Sequence, residues 1–314
     1  MLRGVVADWP VVRAARESPQ AVCRYLAGLD NGAPVKAVMV PPGTDRRVFY
    51  QADLKGFNFI RNKLPISAVI DQVARYAAFA EPPSVAVQST LVSECLPGFL
   101  AANRLPLLPE TVPPRIWLGN RIVVPPHVDE GDNIGCVVAG RRRFTLFPPE
   151  QIANLYIGPL EFTPAAAPVS MVDVGKPDFE RFPRFRTALA AAQVAELEAG
   201  DAIYIPALWW HQVESLDVVN VLINYWWGGT HGAVNSPVDC LLHALLVLKD
   251  LPAEHRAAWG RFFEHFVFGA SGEATAHIPA ERRGALGALA AEEAEAIRQR
   301  LIEHLKAASR PAAG

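Results

Sequence analysis

Apolar positions recur at two different periods along the chain, and the change of period divides it. Ile66, Val69, Ile70 and Val73 stand at i, i+3, i+4 and i+7, which predicts an amphipathic helix over 64–77, stopped by Pro82-Pro83. Earlier, Ser18 followed by Pro19 is a helix start, a hydroxyl cap ahead of proline at the first helical position. Val22, Leu26 and Leu29 line that helix, and a short strand is expected before it. Val35, Ala37 and Met39 alternate with other residues and predict a strand over 34–40, ended by Pro41-Pro42-Gly43. A further strand is read over 84–91.

From about 115 to 228 the period shortens. β-Branched and aromatic runs at 115–118, 121–124, 134–138, 143–147, 193–197, 202–205, 211–215 and 219–225 are separated by Gly, Pro and Asp. Many short strands punctuated in this way predict a sandwich or small barrel. A Pro-containing insert over 148–186 interrupts the series and is expected to act as a lid or binding loop. After Ser236-Pro237 the helical period returns. Leu241, Leu245 and Leu248 share one face; Trp259, Phe262, Phe263 and Phe266 share another; Ile297, Leu301 and Leu305 share a third. These helices carry more large apolar residues than one covered face requires, which predicts a homodimer formed through them. The expected division is therefore a β domain with N-terminal helices over 1–235 and a C-terminal helical region, the dimerisation element, over 236–314. No repeat of solenoid period occurs.

Composition narrows the class without changing this picture. Of 314 residues, 51% are hydrophobic and 20% charged, enough apolar material for a large core. The formal net charge of -2 argues against a dedicated nucleic-acid binder. Cys23, Cys95, Cys136 and Cys240 are scattered, none in a C-x-x-C pair, so free thiols are expected rather than disulfides or a thiolate metal site. The first ten residues hold too short an apolar run for a signal peptide, and no run of about 18 apolar residues occurs. A cytoplasmic location away from membranes is the expectation.

Candidate chemistry sits at Pro126-His127-Val128-Asp129. On a strand, side chains two apart leave the same face, so an imidazole and a carboxylate would point together. His211, at the end of Leu208-Trp209-Trp210-His211, is the best third ligand, since strands distant in sequence return to one barrel mouth. Two His and one carboxylate with the remaining positions open is the arrangement of non-heme Fe(II) oxygenases. His231, His243, His255, His265, His277 and His304 lie outside the β region and are given no ligand role. Trp209 and Trp226 are read as core, with one Trp of each adjacent pair facing the barrel mouth.

The segment from His127 to Phe147, with Asn133, Gly140-Arg141-Arg142-Arg143 and Leu146-Phe147-Pro148-Pro149, resembles the JmjC/cupin-like hydroxylases. So do Asp178 to Pro183, Gly200 to Pro206, Trp209-Trp210-His211 and Asn224-Tyr225-Trp226, and the N-terminal Gly4 to Pro10. The resemblance implies a mainly β chain with flanking helices: a double-stranded β-helix (jelly-roll/cupin) core plus a C-terminal helical region. It implies Fe(II) held by His127, Asp129 and His211, with 2-oxoglutarate and O₂ as co-substrates, acting on a protein side chain or a small molecule. It assigns Arg142 to the distal carboxylate of 2-oxoglutarate, and Asn133 and Asn224 to the surroundings of co-substrate and metal. Two positions depart from the pattern: Val124 stands where a Thr hydroxyl is expected and Ala86 where a Tyr hydroxyl is expected. Tyr204 or Arg115 could supply the missing donor. The alternative is a metal-binding cupin without 2-oxoglutarate turnover, a sensor or isomerase-like enzyme.

Overall fold

In a computed structural model, the described residues are 1–165, 167–229, 236–269 and 273–308. The chain divides into two compact units, Met1–Gly232 and Ala233–Gly314.

The described residues of the first unit form eleven antiparallel strands: β1 Val35–Val40, β2 Ile60–Leu64, β3 Ser84–Leu91, β4 Pro114–Gly119, β5 Val123–His127, β6 Asp132–Ala139, β7 Arg142–Phe147, β8 Gln193–Leu197, β9 Ala202–Ile205, β10 Trp210–Ser215 and β11 Asn220–Trp227. They form a seven-stranded sheet ordered β2-β1-β3-β4-β11-β6-β9 and a four-stranded sheet ordered β5-β10-β7-β8. Together these are the jelly-roll core of a mainly β chain with flanking helices.

Alternation sorts each strand's side chains into two environments. One face of the larger sheet carries Ile116, Leu118, Ile134, Cys136, Val221 and Ile223 against three helices. These are α1 Pro10–Glu17, α2 Pro19–Ala27 and α3 Ile66–Tyr76. The other face meets the smaller sheet, where Val137, Ile203, Ile205 and Leu222 pack on Phe144, Leu146 and Leu197. α2 starts as the sequence predicts: Ser18 Oγ accepts from Ala21 N at 3.0 Å, with Pro19 next. α3 buries Ile66, Val69, Ile70 and Val73, the predicted stripe.

Two expectations change near the N-terminus. Residues 10–17 form a helix, and the expected short strand is one bridge from Leu2 to Ala202. β2 was not legible, because Ile-Arg-Asn-Lys-Leu is an exposed edge without apolar alternation.

The insert over 148–186 is not a detached lid. It folds back on the outer face of the smaller sheet, where Leu155, Val172, Phe185 and Ala188 bury against Phe147 and Trp210. Ser170 N also donates to Pro126 O at 2.9 Å, beside the candidate ligands.

The second unit contains α6 Pro237–Leu248, α7 Ala253–Phe263, continued by one π turn over Glu264–Phe268, and α8 Ala291–Ala308; two short helices of the first unit, α4 Val92–Cys95 and α5 Phe185–Ala190, precede them. Neither α6 nor α7 contains a buried residue. Among the described residues no helix is long and apolar enough to cross a membrane.

Candidate metal centre

The strand register builds the site. β5 pairs with β10 so that His127 and His211 are direct cross-strand partners, with ring centroids 4.3 Å apart. Each imidazole is oriented by a neighbouring carbonyl: His127 Nδ1–H donates to Pro125 O at 2.9 Å and His211 Nδ1–H to Trp209 O at 3.0 Å. With Nδ1–H engaged by a carbonyl, Nε2 is the ring nitrogen of each that is free to serve as a metal ligand. Burial, reinforced by neighbouring His211, pushes His127 down to about 4, so its neutral form prevails at physiological pH.

Asp129 reaches the same point by a different route from the one expected. β5 ends at His127, so strand alternation does not place Asp129. The loop is instead clamped to the β9–β10 turn, where Leu208 N donates to Asp129 O at 2.9 Å and Ala207 N to Asp132 Oδ1 at 3.3 Å. The carboxylate is oriented by Asn133 Nδ2 at 2.9 Å and Trp226 Nε1 at 3.0 Å, both donating to Oδ2. Burial alone would raise its pKa, but His211, His127 and these two donors together hold it below the ordinary carboxylate value. One potential ligand atom from each of His127, Asp129 and His211 lies within 4.8 Å of the others. Two imidazole nitrogens and one carboxylate oxygen fit a divalent transition metal with open positions.

Behind the carboxylate runs a chain of side-chain hydrogen bonds. Trp117 Nε1 donates to Asn224 Oδ1 at 2.8 Å, and Asn224 Nδ2 donates to Asn133 Oδ1 at 3.2 Å. Asn133 and Asn224 thus lie beside the triad, with Asn133 directly on a candidate ligand.

The triad opens into a cavity between the sheets. Arg142, Val124, Trp117 and Trp226 line it with apolar Phe144 and Leu222. Arg142 faces inward while Arg141 and Arg143 face out, Arg141 to Asp217 at 3.0 Å and Arg143 to Glu196 at 2.7 Å. Arg142 is 7% exposed, its Nε has no hydrogen-bond partner, and no carboxylate of the described residues pairs with it. Burial pushes its pKa down to about 10, which leaves it charged at neutral pH. A buried, uncompensated guanidinium is costly, and an anionic ligand would relieve that cost.

Tyr204 does not join the site. It alternates with inward-facing Ile203 and Ile205, is 44% exposed, and donates through its hydroxyl to Asp132 Oδ1 at 2.7 Å. Arg115 instead donates to Ser89 O at 2.8 Å and lies over the Trp226 ring. The tryptophan expectation also changes. Trp210, not Trp209, is the buried member of its pair, and Trp226 lines the cavity rather than serving as plain core. The role of Trp226 follows from its place two residues after Asn224 on one strand face. His231 lies outside the described residues.

Residues 1–232 match the family model of the cupin-like domain (Cupin_8). The chain belongs to the cupin-like domain family. It is 39% identical over 101 residues to "Lysine-specific demethylase JMJ31" of Arabidopsis thaliana, covering 32% of this chain and 18% of that protein. It is 33% identical over 150 residues to "tRNA wybutosine-synthesizing protein 5" of Gallus gallus, covering 43% of this chain and 44% of that protein. The chain therefore spans less than half the length of either relative. Among solved structures, the ribosomal oxygenase YcfD from Escherichia coli in complex with cobalt and 2-oxoglutarate aligns over 92% of this chain and 59% of its own, at 15% identity and a TM-score of 0.37.

Proposed function

We propose that this chain is an Fe(II)- and 2-oxoglutarate-dependent oxygenase that hydroxylates a protein side chain or a small molecule. The observation that carries the reading is the conjunction of the His127–Asp129–His211 donor set with an unpaired, buried Arg142 in one cavity. When bound, Fe(II) with 2-oxoglutarate supplies O₂ activation: one oxygen atom enters succinate with loss of CO₂, and the other becomes the hydroxyl on the substrate. His127, Asp129 and His211 are the proposed metal ligands. Arg142 is the proposed partner of the distal carboxylate, through a fork that suits bidentate pairing. Asn133 and Trp226 hold the Asp129 carboxylate in its ligating orientation, and Asn224 holds Asn133. Phe144, Val213 and Leu222 keep water from the reacting centre.

The two relatives' names point to different substrates, a lysine and a tRNA, so family membership leaves the substrate of this chain open. The second reading, a metal-binding cupin without turnover, is favoured by one feature: Val124 presents hydrocarbon to the cavity beside Arg142. Residues 1–235 would form the catalytic domain and 236–314 a homodimer interface, supported by the uncovered apolar residues of α6 and α7. A cytoplasmic setting suits both readings.

Anaerobic titration with Fe(II) and then 2-oxoglutarate tests the choice. The oxygenase reading expects a visible metal-to-ligand charge-transfer band, lost in His127→Ala and Asp129→Ala. Fe(II) binding without a band at any 2-oxoglutarate concentration would leave the cupin reading standing.

A further inference from the structure

The larger sheet has seven strands to the smaller sheet's four, and its β2-β1-β3-β4 end carries charge of one sign on one face. These four strands contain no Asp or Glu and four cations: Lys36 on β1, Arg61 and Lys63 on β2, and Arg115 on β4. Their sequence neighbours Val35, Ala37, Leu64 and Ile116 pack toward the helices. Alternation therefore turns Lys36, Lys63 and Arg115 to the opposite face, together with Arg61, two residues before Lys63. On that same face Trp117 lines the metal cavity.

Lys36 and Lys63 are direct cross-strand partners, and both are exposed. Like charges placed opposite each other destabilise a strand pair. Lysine on an edge strand deters aggregation, which accounts for Lys63 on β2, but Lys36 lies on an internal strand. None of the four cations pairs with a carboxylate among the described residues. A face that gathers uncompensated cations against its own strand pairing is fitted to an anionic partner.

The sheet order gives the partner's reach. β2 lies four strand spacings from β11, whose Trp226 holds the Asp129 carboxylate. That is roughly 19 Å, or about five or six residues of extended chain. Arg115 stands on the way, over the Trp226 ring at 5.6 Å. The sign of the charge reverses at the metal site, where Glu130 and Asp132 follow Asp129 within three residues. A nucleic acid carries a phosphate at every unit and would bring negative charge against those carboxylates. A peptide can set acidic side chains on the lysines and still present a neutral residue to the metal.

We propose that this basic face docks an acidic segment of a protein substrate, its acidic residues about five or six positions from the neutral residue that is hydroxylated. The proposal rests on the oxygenase reading above and selects a protein as the substrate class.

The test is fluorescence anisotropy of the Co(II)-loaded protein with three labelled probes: a peptide of four Glu followed by eight neutral residues, the same peptide with four Lys, and a single-stranded RNA of equal length. The Glu peptide is expected to bind, more weakly as salt is raised, and the Lys peptide not to bind. Lys36→Glu creates an opposite-charge pair with Lys63, so it is expected to keep or raise Tm while weakening the Glu peptide about tenfold. Arg24→Gln combined with Arg75→Gln removes the same two units of charge from exposed positions on α2 and α3, and should leave binding unchanged. Equal binding of the Glu and Lys peptides, tighter binding of the RNA than of the Glu peptide, or wild-type affinity in Lys36→Glu overturns the proposal. Anisotropy does not depend on turnover. A Glu peptide that docks on a protein giving no charge-transfer band with 2-oxoglutarate removes the oxygenase reading and leaves the docking face. Absence of docking with the band intact overturns this proposal alone.

Discussion

The indole N–H of Trp226 donates to Oδ2 of Asp129 at 3.0 Å, from the strand position directly across from Asn133, which donates to the same oxygen. Asp129 lies beyond the end of β5, so its carboxylate owes its direction to this cross-strand pair and to the backbone clamp from Leu208. Trp226→Phe keeps most of the packing against Trp117 and removes one donor. Loss of such an outer partner costs about 10–100-fold in metal affinity, and the low end is expected here because Asn133 remains. Titration of the variant with Fe(II) or Co(II) checks it; wild-type affinity would mean the indole only packs.

Arg142 couples stability to function with opposite signs. Its charge is buried without a counter-ion, so Arg142→Met should stabilise the ligand-free protein, by about 1–3 kcal/mol on the scale of desolvated charges. The same change should weaken 2-oxoglutarate about a hundredfold or more, since charge-assisted hydrogen bonds contribute about 1.5–3 kcal/mol each. Metal affinity should hardly move. Chemical denaturation and co-substrate titration on one preparation test both halves, and equal losses of metal and 2-oxoglutarate would remove the role assigned to Arg142.

Metal binding should register as stability. A ligand that binds only the folded state, at about a hundred times its Kd, adds about 2.7 kcal/mol. Chelation of the Fe(II)-loaded protein is therefore expected to lower Tm, and re-addition of metal to restore it. In Asp129→Ala, metal should no longer shift Tm, because the anionic ligand is gone. A metal-induced shift that survives in this variant would place the ion elsewhere.

Two backbone positions with positive φ near the site should respond unequally to substitution. Gly140, in the turn that delivers Arg142, has φ +71°, and a Cβ there would stand 2.4 Å from Val219 O. Gly140→Ala should destabilise by about 1–3 kcal/mol and also weaken 2-oxoglutarate, because the start of β7 must shift. Leu208 carries φ 63° with a side chain that is largely exposed. Leu208→Gly removes a left-handed strain of about 1–2 kcal/mol, offset by the greater chain entropy of glycine, so stability should stay close to wild type. Urea denaturation of the pair decides.

What could be read beforehand follows from which physical signals are local. The helix over Ile66–Tyr76 and the strands of the jelly roll carry their periods in their own residues. β2 carries none, being an exposed edge, and α1 presents Pro-Val-Val-Arg-Ala-Ala-Arg-Glu with only Val11 and Val12 buried. The triad was legible by spacing and residue type, yet for Asp129 the reason was different: a turn clamp rather than strand alternation. Which face of β9 carries Tyr204 is set by its pairing with β6, a relation no short stretch of sequence contains. The link from Trp117 through Asn224 to Asn133 joins β4, β11 and β6, and no short window contains it.

The C-terminal helices supply the last prediction. Leu246 is 78% exposed on α6 and Phe268 is 70% exposed at the end of the π turn, with Val247, Trp259 and Phe262 also uncovered. Clusters of large apolar side chains on helices without buried residues favour association, and a second copy of the same chain supplies a self-complementary face. The 314-residue chain should therefore sediment as a homodimer. Leu246→Glu should shift it toward monomer without lowering Tm beyond what dissociation explains, because an exposed position costs the fold little. Removing residues 237–314 should leave monomer or aggregate. A well-behaved dimer in either case would place the interface on the β domain, and the apolar helices would then need another partner.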